Sequence, residues 1–383
     1  MQNEPLVTLA NWQEPTQLGW AFQNMREIIP TRLIKAPAVP AVLPHEQRDL
    51  FVPGLDELLT RTYTDGFLVM HDGAIVSERY FGALKPATRH LMMSVTKSVV
   101  GCVAGVLADR GLLIPEKMIT DYVPEIADAG YAGASVRDLL DMRTGVAYRE
   151  TYTDADAEVR VMERSNGWAP RRDDDPVGLY NYLATVQGES SHGGEFVYRS
   201  ADTNMLGWVL ERASGVSMAD LVGDVIWAPL GAEFDADITV DVHGAPVHDG
   251  GMSAALRDLA RFGDMVRCDG SAHGRTVVPE AWLRDTYDPP ADVRSAFAAT
   301  DNEAVLPGGW YRNQFWFYRR ADGTPIQLCL GIHGQLIYID RAADLVIVKM
   351  SSWPDAQNVT FLVDTLRACA AIADEFRAGP GTR

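Results

Sequence analysis

Lysine is scarce in this 383-residue chain: Lys35, Lys85, Lys97, Lys117 and Lys349 are all there are, and arginine carries most of the positive charge. Basic residues are also outnumbered, 34 against 52 Asp and Glu, for a formal charge of −18. That balance argues against nucleic acid or an anionic membrane surface as a partner. The four cysteines, Cys102, Cys268, Cys329 and Cys369, are scattered in apolar or helical patterns without Cys-x-x-Cys or Cys/His ligand spacing. They read as buried free thiols, and no metal site or cofactor is expected. No apolar run reaches the length of a membrane span, and the first fifteen residues lack a basic segment followed by an apolar one. Residence in the cytoplasm is the expectation that follows.

Against that scarcity one lysine stands out. In Leu91–Leu113, LMMSVTKSVVGCVAGVLADRGLL, Ser94 and Lys97 open a long apolar helical pattern. Side chains three apart share a helix face, so hydroxyl and amine come within reach of each other. Serine becomes a nucleophile beside a base, and a lysine acts as that base when burial lowers its pKa; arginine cannot take this part. Val99, Val100, Val103, Val106 and Leu107 supply the apolar surroundings. At a helix N-terminus, outward N–H groups favour an oxyanion.

Elsewhere the chain reads in three blocks. Residues 1–52, punctuated by Pro30, Pro37, Pro40 and Pro44, form a wrapping segment, with Trp12, Trp20 and Phe22 as candidate pins. Gly66–Tyr80 reads as a β-hairpin turning at His71-Asp72-Gly73. Ser135–Val146 carries a capping serine with an acid three residues on and Gly145 as its stop; Gly250–Val266 reads as another capped helix. Asp288–Gly309 reads as a loop, and three β segments, Asn313–Tyr318, Gln327–Ile339 and Leu345–Met350, precede a C-terminal helix, Val359–Phe376. If early and late strands share one antiparallel sheet, residues 53–90 and 310–383 make a sheet lobe and 91–309 a mostly helical lobe of one catalytic domain, with the Ser94 helix at the cleft between them.

Three motifs stand in order along the chain: Ser94-Val-Thr-Lys97, then Tyr198-Arg-Ser200, then Gly331-Ile-His333-Gly334 on a late strand. This order resembles the penicillin-recognising serine hydrolases, the class C β-lactamase-like family. The segments NWQEP, RHLMMSVTKS, EFVYRSADTN, GIHGQ and VIVKMSSWPD are similar to those of its nylon-oligomer (6-aminohexanoate-dimer) hydrolase branch. The resemblance implies an α+β or α/β, β-lactamase/transpeptidase-like fold and an acyl-enzyme mechanism on small amide or ester substrates. It implies Ser94 as nucleophile, Lys97 as proton acceptor, Tyr198 as proton relay, and the Ile332 N–H beside that of Ser94 as oxyanion hole. A buried tyrosine beside a lysine ammonium is expected to have a lowered pKa. For substrate binding it implies Tyr152 on the amide nitrogen, Glu163 on a terminal ammonium, Asp249 beside that acid, Trp316 as pocket wall and His333 facing the site. Two carboxylates as close as Glu163 and Asp249 are expected to raise one pKa. Ser200 stands where class C enzymes have Asn, and Cys329-Leu330-Gly331 replaces their Lys-Thr-Gly. Strong β-lactamase or DD-peptidase activity is therefore not expected. The same resemblance leaves room for a carboxylesterase with little amidase activity, and for a non-catalytic binding protein that keeps the cleft. A homodimer is the default assembly.

Overall fold

The computed structural model describes residues 6–377. Its centre is a seven-stranded sheet of β1 (Thr64–His71), β2 (Ala74–Tyr80), β3 (Trp310–Arg312), β4 (Phe315–Arg319), β5 (Pro325–Gly331), β6 (Gln335–Asp340) and β7 (Leu345–Ser351). The order is β2-β1-β7-β6-β5-β4-β3, and every neighbouring pair is antiparallel. Early and late strands thus share one sheet, as the pattern predicts. Asp72 and Gly73 both take positive φ at the β1–β2 turn, the geometry of a tight two-residue hairpin.

Both faces of this sheet are covered, which is why β7 is buried at every position rather than at alternate ones. On one face the Leu256–Arg267 helix packs against Val346 and Ile337, so closely that a Cβ on Gly263 would lie 2.6 Å from Val346. Although it falls within residues 91–309, this helix belongs to the sheet layer. On the other face the Val359–Arg377 helix buries Leu366, Cys369, Ile372 and Ala373 among Phe67, Leu336 and Ile347.

The Val95–Asp109 helix runs through the middle of the molecule and is buried on all sides from Val95 to Leu107. Its two interior glycines, each costing about 1 kcal/mol of helix propensity, allow close neighbours. A Cβ on Gly101 would lie 2.3 Å from the Asn313 carbonyl, and one on Gly105 2.6 Å from Trp282. The Ser200–Ser214 helix packs alongside.

Several sequence expectations need correction. Gln327–Ile339 is two antiparallel strands, β5 and β6, because His333 and Gly334 take positive φ and reverse the chain. Asp288–Gly309 contains the helices Ala291–Ala298 and Asn302–Val305. Ser135 does form a capping box with Asp138, but the helix ends at Leu140, two residues before Met142 turns left-handed. Gly145 serves instead to let Ser190 approach, since its Cβ would sit 2.1 Å from the Ser190 carbonyl. Ser253 caps nothing; it lies in a short strand, Met252–Ala254. Cys268 is only partly buried, whereas Cys102, Cys329 and Cys369 are buried free thiols.

Residues 6–52 do more than wrap. Thr31–Ile34 pairs with Ala236–Thr239 in a second, four-stranded sheet that also includes Met252–Ala254 and His90–Leu91, the strand leading to Ser94. Trp12 and Phe22 pack with Leu91, Met93 and Trp168, while Trp20 stays exposed. Among the described residues no helix is long and apolar enough to cross a membrane.

Candidate active site

Ser94 immediately precedes the Val95–Asp109 helix, and its side chain makes no capping bond. The residue before it, Met93, is held at φ 48°, a left-handed conformation that costs a non-glycine residue about 1–3 kcal/mol and concentrates at functional sites. One helical turn on, Lys97 is 1% exposed and its Nζ lies 2.8 Å from Ser94 Oγ.

Two other contacts hold the Lys97 amine in place beside Ser94. Its Nζ donates to the Asp249 carbonyl at 2.8 Å, an atom that only accepts. It also donates to Ser200 Oγ at 3.0 Å, and the Ser200 hydroxyl spends its own proton on Glu150 Oε1 at 2.8 Å. As an ammonium, Lys97 donates to all three oxygens; as a neutral amine, with its two N–H groups committed to Asp249 and Ser200, it turns its lone pair to Ser94. Burial lowers the Lys97 pKa, while Asp249 and Glu150 pull it back up, so the amine is biased towards the form that can accept a proton.

Tyr198, at the end of the loop entering the Ser200–Ser214 helix, leans on Trp316 with ring centroids 4.9 Å apart, and Lys97 Nζ lies 5.2 Å from its ring centre. Its pKa is raised, not lowered as expected. Burial of the phenol, then the nearby Glu150 and Asp249 carboxylates, outweigh the hydrogen bond with Ser94. Tyr198 is therefore a proton donor at rest.

Ile332 follows β5 at the same site. A Cβ on Gly331 would lie 2.7 Å from the Met92 carbonyl, and this close approach brings the end of β5 against the segment carrying Ser94. Ser94 and Ile332 together line two cavities. The larger, about 270 Å³, also borders Tyr198, Trp316, Leu330 and Trp353, and no lysine or arginine lines it. The smaller, about 20 Å³, is bordered by Tyr152, Glu163, Asn166, Trp168 and Asp249. His333 borders neither. Its Nδ1 lies 2.7 Å from the Trp353 carbonyl, its ring stacks edge-on to Phe22, and burial pushes its pKa down to about 4. These contacts tie the β5–β6 turn to the loop after β7.

This geometry coincides with likeness at every level. The family described as Beta-lactamase matches residues 55–371. The chain belongs to the Beta-lactamase family. It is 39% identical over 352 residues to the 6-aminohexanoate-dimer hydrolase of Paenarthrobacter ureafaciens, covering 91% of this chain and 88% of that one. Its fold superposes with a TM-score of 0.89 on a Bacillus anthracis protein provisionally named a 6-aminohexanoate-dimer hydrolase, at 26% identity over 99% of this chain and 100% of that one. A family VIII carboxylesterase shares the fold alone, with a TM-score of 0.58 and 16% identity over 84% of this chain and all of that one. As a Beta-lactamase family member the chain is a serine hydrolase.

Within this family scaffold two residues escape sequence reasoning. Glu150 accepts hydrogen bonds from the Ser200 N–H and hydroxyl, both at 2.8 Å, and from the Tyr152 hydroxyl at 2.6 Å. Burial raises its pKa, against the opposing pull of Lys97. Arg160 donates to Glu163 Oε2 at 2.6 Å and to the Tyr152 carbonyl at 2.7 Å. Neither stands in a motif; contacts across the fold reveal Glu150, and the local i,i+3 pairing with Glu163 was the signal for Arg160. Glu163 has a raised pKa, as two neighbouring acids predict, but burial is the larger cause and Asp249 the lesser. Among the described residues no group of three or more His, Cys, Asp or Glu is placed to hold a metal ion.

Proposed function

We propose that the protein hydrolyses linear amides of the 6-aminohexanoate-dimer type and short-chain esters through an acyl-enzyme on Ser94. The observation that carries this reading is the Lys97 amine, whose two fixed donations leave its remaining position facing Ser94 Oγ. Ser94 Oγ attacks the substrate carbonyl carbon as its proton passes to Lys97. The N–H groups of Ser94 and Ile332 receive the oxyanion. As the tetrahedral intermediate collapses, the Tyr198 hydroxyl protonates the departing amine or alkoxide and recovers a proton from Lys97. Water then attacks the Ser94 ester, losing its proton to the same pair; as the second tetrahedral intermediate collapses, the bond to Ser94 Oγ breaks, Lys97 returns a proton to that oxygen and the acid leaves.

Tyr198 borders the larger cavity and not the smaller. The group it protonates therefore departs on the side of the larger cavity, with the acyl group on the Tyr152 side. The 6-aminohexanoate-dimer hydrolase of Paenarthrobacter ureafaciens, at 39% identity, supports amide substrates. A second reading, a carboxylesterase with little amidase activity, is favoured by one observation: no lysine or arginine lines the larger cavity, so no cation there pairs the carboxylate carried by the leaving half of an aminohexanoate dimer. A homodimer belongs to the reading as well, to be checked by light scattering.

Incubation with p-nitrophenyl acetate and a fluorophosphonate probe tests the nucleophile. Labelling of the wild type and none of Ser94→Ala is expected; equal labelling of both would refute it. A panel of aminohexanoate dimer, cyclic dimer, short-chain esters and nitrocefin separates the substrate classes, with the linear dimer and esters expected to turn over and nitrocefin to stay intact. Turnover of esters alone would select the second reading.

A further inference from the structure

The larger cavity beside Ser94 takes its apolar walls from several elements at once. Trp316 on β4, Leu330 on β5, Leu336 on β6, Val305 of the Asn302–Val305 helix and Leu362 of the C-terminal helix all border it. Polar side chains at the same border are spent on the protein itself. Gln335 donates to the Ser351 carbonyl at 2.6 Å and accepts from the Ser351 N–H at 3.2 Å. Asn302 donates to Thr300 Oγ1 at 3.1 Å, Asn358 accepts from the Phe361 N–H at 3.0 Å, and Thr365 donates to the Phe361 carbonyl at 2.7 Å. Among the described residues Glu150 is the only charged side chain at this border, and its carboxylate is bound by Ser200 and Tyr152. At about 270 Å³ the cavity is close to the size at which small-molecule pockets begin, roughly 300 Å³. It extends to the loop before the C-terminal helix, where Gln357 and Val359 are exposed.

We infer that this cavity is a leaving-group site for linear alkyl alcohols and amines, so that the protein selects esters and amides by the length of the apolar chain that departs. Tyr198 borders the cavity and protonates the departing oxygen or nitrogen, so the chain on that atom lies along these walls. Each methylene that enters leaves water, which favours longer chains without any partner for their far end. An aminohexanoate leaving half uses the same walls with its methylenes and leaves its carboxylate to water at the exposed end. This inference rests on the acyl-hydrolase reading above and specifies which leaving groups it takes.

The test measures kcat/KM for ethyl, butyl and hexyl acetate by titrating the released acid, and sets hexyl acetate against its isomer ethyl hexanoate, which carries the long chain on the acyl side. From ethyl to hexyl acetate kcat/KM should rise by up to about fourfold per methylene, the worth of one buried CH2, and hexyl acetate should exceed ethyl hexanoate by about tenfold or more. Leu362→Asp, which puts a charge in the apolar wall, should abolish most of the rise with alcohol length. A rate that does not grow with the length of the alcohol, or equal rates for the two isomers, overturns the inference, and neither result requires a variant to fold. So does a rise in Leu362→Asp as steep as that of the wild type. If no ester is cleaved and Ser94 takes up no fluorophosphonate, the hydrolase reading itself is removed, and this inference with it.

Discussion

Lys97 is used as a base whose other contacts are all spoken for, and the consequences are specific. Lys97→Arg retains positive charge but cannot accept a proton, so kcat should fall by about 10²–10⁴, the usual worth of a positioned general base; stopped assays on p-nitrophenyl acetate would show it. The wild-type rate should rise with pH along a limb set below the ordinary lysine value, because burial depresses the Lys97 pKa and only the neutral amine is competent. A limb at the unperturbed lysine position would contradict this. Glu150 acts one residue further back, by orienting the Ser200 hydroxyl so that it accepts from Lys97. Glu150→Ala is expected to lower kcat about tenfold or more with little change in KM and to move the pH limb. A purely structural role would leave the pH limb where it is. The Ser94–Lys97 spacing was legible because it is local to one helix turn. Glu150 was not, since its partner Ser200 is fifty residues away.

Among the elements, the Val95–Asp109 helix and β7 show how burial dictates sequence. Gly101→Ala would push a methyl into the Asn313 carbonyl and should cost about 1–3 kcal/mol by overpacking, measurable by urea unfolding. On β7, Lys349 is buried beneath the C-terminal helix and donates to the Thr62 carbonyl at 3.2 Å and to Ser351. Its pKa is lowered to about 7, with burial as the main cause. Between about pH 7 and the unfolded value near 10.4 the unfolded chain binds the extra proton, so this residue makes stability rise with pH by up to about 1.4 kcal/mol per unit; below pH 7 its contribution is flat. Lys349→Met should flatten the pH dependence of Tm between 7 and 10. The hairpin and the late strands could be read from alternation and turn residues. The break at Ile332–Gly334 was only hinted at by Gly331, Gly334 and the polar His333 and Gln335, because the reversal also needs His333 at positive φ, a conformation that a residue with a Cβ seldom adopts and that no local pattern announces.

In the whole molecule, the N-terminal segment backs the site wall through Trp12. Trp12 Nε1 donates to the Trp168 carbonyl at 2.8 Å, and the two rings meet edge to face at 5.4 Å. Trp168 borders the small cavity beside Glu163. Trp12→Ala should therefore cost about 3–5 kcal/mol of stability and raise KM for ester substrates more than it lowers kcat; an unchanged KM would place the segment outside the wall. Local periodicity and motif order were enough to fix the Ser94 helix, the β-hairpin, the antiparallel sheet and the resemblance to a serine hydrolase family, because each depends on neighbours a few residues apart or on strands patterned for burial. Tertiary structure alone decided that Lys97 is held by the Asp249 carbonyl and by Ser200, that Tyr198 rests protonated and that His333 turns away, because those contacts join residues far apart in the chain.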